Sequence, residues 1–181
     1  IRLTGNPVRP EVRVLFENNY SVSHDNEPFN LLVFGGSQGA SIFSEVVPAA
    51  IGLLPENYRK KLHVVQQCRA ETLEDVRKAY AELDIEATLS PFIENMADTL
   101  AASHLVICRS GASTCAEMMV AGKPAIYVPL PYAAENHQYL NASFIEKAKA
   151  GWVMPQDGFT AKALAARLES LMSLPESLAK I

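Results

Sequence analysis

"HLVICRSGASTCAEMMVAGKPAIYVP", residues 104–129, decides how the chain folds. "HLVIC" and "PAIYVP" are short runs that stay apolar on consecutive residues, as strands buried on both faces do. Between them residues 113–121 read as a helix, with a small polar cluster, Ser110 to Thr114, at its start and a lone acid, Glu117, on it. Strand, helix and strand in this order make one turn of a parallel α/β sheet.

The same alternation runs outward in both directions. Upstream, "NLLVFG" is a strand followed by a helix over 39–53, "LHVVQ" a strand followed by a helix over 71–83, and "IEATLS" a strand followed by a short helix over 94–102. Downstream come a helix over 136–149, a short strand "WVMP" and a helix over 160–172. The expected fold is therefore a doubly wound parallel α/β sheet, Rossmann-like, with helices on both faces and no internal repeat. Residues 1–28, rich in Asn and Pro, read as an irregular linker leading into a domain over 29–181.

In such sheets the ligand lies outside the carboxyl ends of the strands. The loops there are "GGSQGAS" after the first strand, "PFIENM" after the third, "RSGAST" after the fourth and "PLPYAAENHQ" after the fifth. The glycine loop around Ser37 and Gln38 would let backbone N–H groups turn toward a phosphate at the next helix start; it equally suits a tight strand-to-helix turn. It fits neither the Gly-x-Gly-x-x-Gly dinucleotide spacing nor a Walker loop, and the second strand ends in Gln66 and Gln67 rather than a ribose-binding acid. With Ser113 or Thr114 as the cap, the later helix offers a second anion site. Glu117 would then face a ribose diol from the same side; the alternative is a capping box between Thr114 and Glu117. Glu135, Asn136, His137, Gln138 and Asn141 cluster where the next helix begins, and such groups read sugar hydroxyls.

Composition narrows the partners. At 181 residues and 49% hydrophobic content the chain can bury one good core. Sixteen Lys and Arg against 20 Asp and Glu, a formal charge of −4 with no run of either sign, argue against a nucleic-acid partner. Cys68, Cys108 and Cys115 cannot all pair and none has Cys-x-x-Cys spacing, which suits a reducing compartment. No histidine, His24, His63, His104 or His137, has a partner at metal-ligand spacing, and there is no Asp-x-Asp, so no metal and no cofactor is expected. The opening on Ile1 and the end at "PESLAKI" suggest a piece of a longer protein.

Taken in order along the chain, "GNPVR" (5–9), "GGSQGA" (35–40), "FIENM" (92–96), "CRSGAST" (108–114) with Glu117, "AGKPAIYVPLP" (121–131) and "HQYLNA" (137–142) resemble the C-terminal half of the UDP-N-acetylglucosamine transferases of peptidoglycan synthesis. That family has the two-domain GT-B architecture, so the resemblance implies a donor-binding C-terminal domain whose acceptor-binding partner domain is absent from this chain. It implies an inverting transfer of N-acetylglucosamine from UDP-N-acetylglucosamine to an undecaprenyl-diphosphate-linked muramyl-pentapeptide. The setting implied is the cytoplasmic face of a bacterial inner membrane, bound peripherally and mainly through the other domain. By the same resemblance Glu117 holds the ribose, the backbone of Ser113 and Thr114 cradles the α-phosphate, and Ser37 and Gln38 flank the diphosphate. The backbone of Ile93 reads uracil, Arg9 lies near the nucleotide, and Gln138, with His137 beside it, bonds the sugar. The catalytic base is expected outside this chain, and the chain alone is expected to be inactive. A UDP-N-acetylglucosamine 2-epimerase, a diacylglycerol glycosyltransferase and a non-catalytic nucleotide-sugar module are the alternatives.

Overall fold

The computed structural model describes residues 5–18, 20–23, 27–36 and 40–181. Its strands, in chain order, are β1 (Phe29–Phe34), β2 (Leu62–Gln67), β3 (Glu86–Ser90), β4 (Leu105–Cys108), β5 (Ala125–Tyr127) and β6 (Trp152–Val153). They form one 6-stranded sheet in the order β3-β2-β1-β4-β5-β6, parallel throughout. The helices are α1 (Pro10–Arg13), α2 (Ser41–Gly52), α3 (Glu56–Arg59), α4 (Leu73–Glu82), α5 (Met96–Ala102), α6 (Ala112–Ala121), α7 (His137–Lys147) and α8 (Ala161–Ser173). The doubly wound parallel fold expected from the sequence is the one observed.

Two cores explain why the strands are apolar on consecutive residues. Leu31, Val33, Val64, Leu105, Ile107 and Ile126 pack under α2, α4 and α8. Their neighbours Leu32, Phe34, Val106, Cys108, Ala125 and Tyr127 point the other way, under α1, α5, α6 and α7. Successive side chains of a strand alternate between faces, so covering both faces requires every residue to be apolar.

The chain builds β1, β2 and β3 outward, then crosses back to lay β4 on the other side of β1. This reversal makes the gap between the carboxyl ends of β1 and β4 the topological switch point, where such sheets open a crevice.

The opening stretch is more ordered than its composition suggests. Pro10 stands at the first helical position, where its fixed φ suits a helix and its missing N–H costs nothing. The short α1 and the 3-10 turn Val14–Glu17 after it bury Val12 and Leu15 in the second core, so residues read as linker carry a packed anchor. At the other end, Pro175–Lys180 form a 3-10 turn that buries Leu178.

One glycine holds the β5–β6 edge together by having no side chain. A Cβ on Gly151 would lie 2.7 Å from Tyr127 Cε2 and 2.9 Å from the Ala125 carbonyl oxygen, and Tyr127 is buried. Gly151→Ala is expected to cost about 1–3 kcal/mol through overpacking. Urea denaturation measures it, and an unchanged midpoint would mean that the edge has room to relax.

Candidate functional site

The switch point is framed by the loops after β1 and β4. β1 runs into Gly35 and Gly36, the latter with φ +83, a left-handed conformation that glycine takes without a Cβ penalty. Ser37 and Gln38 lie outside the described residues. α2 begins after Ala40 without a side-chain cap.

After β4, helix α6 starts earlier than expected. Its N-cap is Gly111, again without a side-chain cap, so Ser113 and Thr114 sit inside the first turn. Ala112 is a strong helix former and prolongs the helix backward past the hydroxyl residues. The first-turn N–H groups have no intrahelical acceptor and lie at the positive end of the helix dipole.

Glu117 stands one turn further on. It makes no capping box: its two carboxylate oxygens are taken by Arg9, Nε donating to Oε1 at 2.7 Å and an Nη donating to Oε2 at 2.8 Å. Glu117 is only 7% exposed, and hydrogen bonding to it, more than the opposing effect of burial, raises the Arg9 pKa above its ordinary value. Each carboxylate oxygen offers two lone pairs, and Arg9 uses one on each. One acceptor site per oxygen is left, the number that a vicinal diol needs.

Gln138 clamps the loop after β4 to the loop after β5. Its Oε1 accepts from the backbone N–H of Ser110 (3.3 Å) and of Leu130 (3.0 Å), which fixes the orientation of the amide and leaves Nε2 as the end that can donate to a ligand. Ser110 is wholly engaged, its hydroxyl donating to the Gln138 carbonyl and its own carbonyl accepting from Asn141 Nδ2. His137, exposed, has Nδ1 at 2.7 Å from the Ala134 carbonyl oxygen. A carbonyl only accepts, so Nδ1 donates to it.

Ile93 lies in the loop after β3, 8% exposed, with its side chain packed in the second core, which anchors the loop. Ser90 tightens the same loop: its hydroxyl donates to the Phe92 carbonyl and accepts the Phe92 N–H.

Two residues organise the loops in a way the sequence did not signal. Arg109, at the end of β4, donates to the carbonyls of Val128 (3.0 Å) and Pro129 (3.1 Å) and to Gln156 Oε1 (2.6 Å), with its guanidinium 5.3 Å from the centre of the Phe43 ring. Burial draws its pKa below the usual arginine value, yet it stays a cation at neutral pH. The other is Gln67, whose amide bonds Gly35 and Pro91. Its only sequence signal was a polar residue at the end of an apolar strand.

The remaining polar groups lie elsewhere. His63 pairs with Glu86, and His104 accepts the Asn30 N–H, both at the amino-terminal edge of the sheet; His24 lies outside the described residues. All three cysteines are buried free thiols, with Cys115 pushed up to about 11 by burial, so they serve packing. Among the described residues no three His, Cys, Asp or Glu side chains are grouped to hold a metal, and no helix is long and apolar enough to cross a membrane.

A six-stranded parallel sheet flanked by helices, with uncapped helix starts at its switch point, is the Rossmann-like α/β fold of the GT-B glycosyltransferases. Residues 30–180 match the glycosyltransferase family 28 C-terminal domain, and the chain belongs to that family. It is 49% identical over 176 residues to the UDP-N-acetylglucosamine--N-acetylmuramyl-(pentapeptide) pyrophosphoryl-undecaprenol N-acetylglucosamine transferase of Rhodospirillum centenum, across 97% of this chain and 46% of that relative. The enzyme of the same name from Caulobacter vibrioides is 47% identical over 179 residues, 99% of this chain and 49% of its own length. The chain thus spans about half the length of the relatives it matches. Among solved structures, MurG of Acinetobacter baumannii superposes with a TM-score of 0.78 at 30% identity, over 99% of this chain and 51% of that one. A UDP-GlcNAc 2-epimerase from Neisseria meningitidis, bound to UDP-GlcNAc, reaches a TM-score of 0.58 at 11% identity over 86% of this chain and 38% of that one, a likeness of fold alone.

Proposed function

We propose that the chain is the donor-binding half of an inverting glycosyltransferase that moves N-acetylglucosamine from UDP-N-acetylglucosamine to a lipid-linked muramyl-pentapeptide. The observation that carries this reading is the start of α6, where unpaired backbone N–H groups and the buried Glu117 carboxylate lie within two turns of one helix. That pairing suits a phosphate with its attached ribose. The relatives' names supply the sugar and the acceptor.

In this reading the first-turn N–H groups at Ser113 and Thr114, with the glycine loop around Ser37 and Gln38, hold the diphosphate. Glu117 accepts from the two ribose hydroxyls, with Arg9 orienting its carboxylate. Ile93 offers its backbone to uracil, and Gln138 donates through Nε2 to the sugar beside His137. As the acceptor hydroxyl attacks the anomeric carbon in line, charge builds on the departing diphosphate. Fixed N–H donors at the helix starts stabilise that charge without reorganising. The base and the acceptor site are assigned to the half of the relatives that this chain does not span, as is the main contact with the cytoplasmic face of the membrane.

All these loops lie on one sheet edge, so the chain should bind UDP unaided, weakly, and transfer nothing. Titration with UDP followed by NMR is expected to move the resonances of Ile93, Thr114, Glu117 and Gln138 in a saturable way, with ADP competing poorly. Absence of shifts at millimolar UDP would overturn donor binding. Transfer to lipid acceptor by this chain alone would show that the base lies within it.

A further inference from the structure

The pairing of β1 with β2 ends at Val33 and Gln66, and β3 ends at Ser90. Beyond β1 and β3 the chain enters the loops that the proposed function assigns to the diphosphate and to the base, while β2 stays paired with β3 as far as Gln67 and Ser90. Between Gly35 and Pro91 lies the side chain of Gln67, 4% exposed. Its Oε1 accepts the Gly35 N–H at 3.1 Å and its Nε2 donates to the Pro91 carbonyl at 3.1 Å. One amide therefore spans the carboxyl ends of β1, β2 and β3, tying the first residue of the glycine loop to a residue two before Ile93.

The chemistry of this link is specific to an amide. One end must accept and the other donate; a carboxylate lacks the donor, and an apolar side chain lacks both. Burial raises the stakes, because a buried polar group left without its partner costs more than the bond contributes.

We propose that Gln67 is a positioning residue that sets base selectivity, by holding the base-reading loop at a fixed separation from the diphosphate loop. The inference rests on the donor-site reading above. A nucleotide that touches both loops gains from both only if they are already correctly spaced; otherwise the cost of ordering one against the other is subtracted from its affinity. A ligand that touches the diphosphate loops alone does not bear that cost.

The test is Gln67→Met, which keeps the length and removes both polar ends, in the chain as described. UDP, ADP and inorganic pyrophosphate are titrated against wild type and variant. UDP affinity is expected to fall about tenfold, the scale of a lost hydrogen-bonded link. ADP and pyrophosphate should change less than about threefold, so that discrimination between the bases shrinks with the loss. Equal weakening of all three ligands, the signature of a merely structural role, would overturn the proposal, as would unchanged UDP affinity. Failure of the wild type to bind UDP at all would instead bring down the donor-site reading, and this proposal with it. Should the variant not fold, the Gly35 amide of the wild type gives a second measurement. Bonded to Gln67 it should exchange with solvent at least about tenfold more slowly than an open loop amide, and exchange at the open rate would refute the link.

Discussion

Replacing Glu117 with alanine is expected to lower UDP affinity by about 1.5–3 kcal/mol, roughly 10- to 150-fold, the usual worth of hydrogen bonds to a charged group. The carboxylate is buried and aligned by a bidentate arginine, so in the proposed donor site it would meet a diol without being reoriented. Glu117→Gln should also weaken binding, since its amide turns a second donor toward either the ribose or Arg9. Folding should survive, because the partner lost is Arg9, whose side chain is 42% exposed and can be rehydrated. Arg9→Ala separates orientation from acceptance: it leaves both carboxylate oxygens in place and should cost less affinity than Glu117→Ala. Calorimetric titration of folded variants measures all three, and wild-type affinity in Glu117→Ala would remove this residue from the site.

Phe43→Ala is expected to cost about 3–5 kcal/mol of stability, among the larger effects available in a domain whose total is about 5–15 kcal/mol. Phe43 is fully buried in α2 and packs edge-on against Phe159, centroids 5.6 Å apart at 69°. It also forms the floor beneath the Arg109 guanidinium. Truncation opens a cavity under α2 and deprives a half-buried cation of its aromatic face. The loops after β4, β5 and β6 that Arg109 stitches together should then exchange their amides faster. Phe43→Leu keeps most of the volume and should cost less. Urea denaturation of Phe43→Ala with a loss below about 1 kcal/mol would mean that the first core is not organised around this ring.

Much of the fold was legible because its determinants are local. "NLLVFG", "LHVVQ", "HLVIC" and "PAIYVP" are apolar on consecutive residues, and burial on both faces of a sheet requires that pattern whatever the partners are. The short α1 was missed because four residues have no period to read. It exists because Val12 and Leu15 find an apolar face remote in sequence. The start of α6 was placed late because hydroxyl residues are favoured caps, while here Gly111 takes that position and alanine extends the helix.

The alternation of strands and helices, and which loops carry polar groups, depend on residues a few positions apart and were readable along the chain. What those groups face follows from contacts between residues remote in sequence. Arg9 and Glu117 are 108 residues apart along the chain, and nothing in either neighbourhood marks them as a pair. Gln67 became a bridge because β2 lies between β1 and β3, and Gln138 became a clamp because α7 starts beside the loop after β4. Strand order is set by how two apolar faces are covered at once, a condition on the whole sheet that no short stretch of sequence contains.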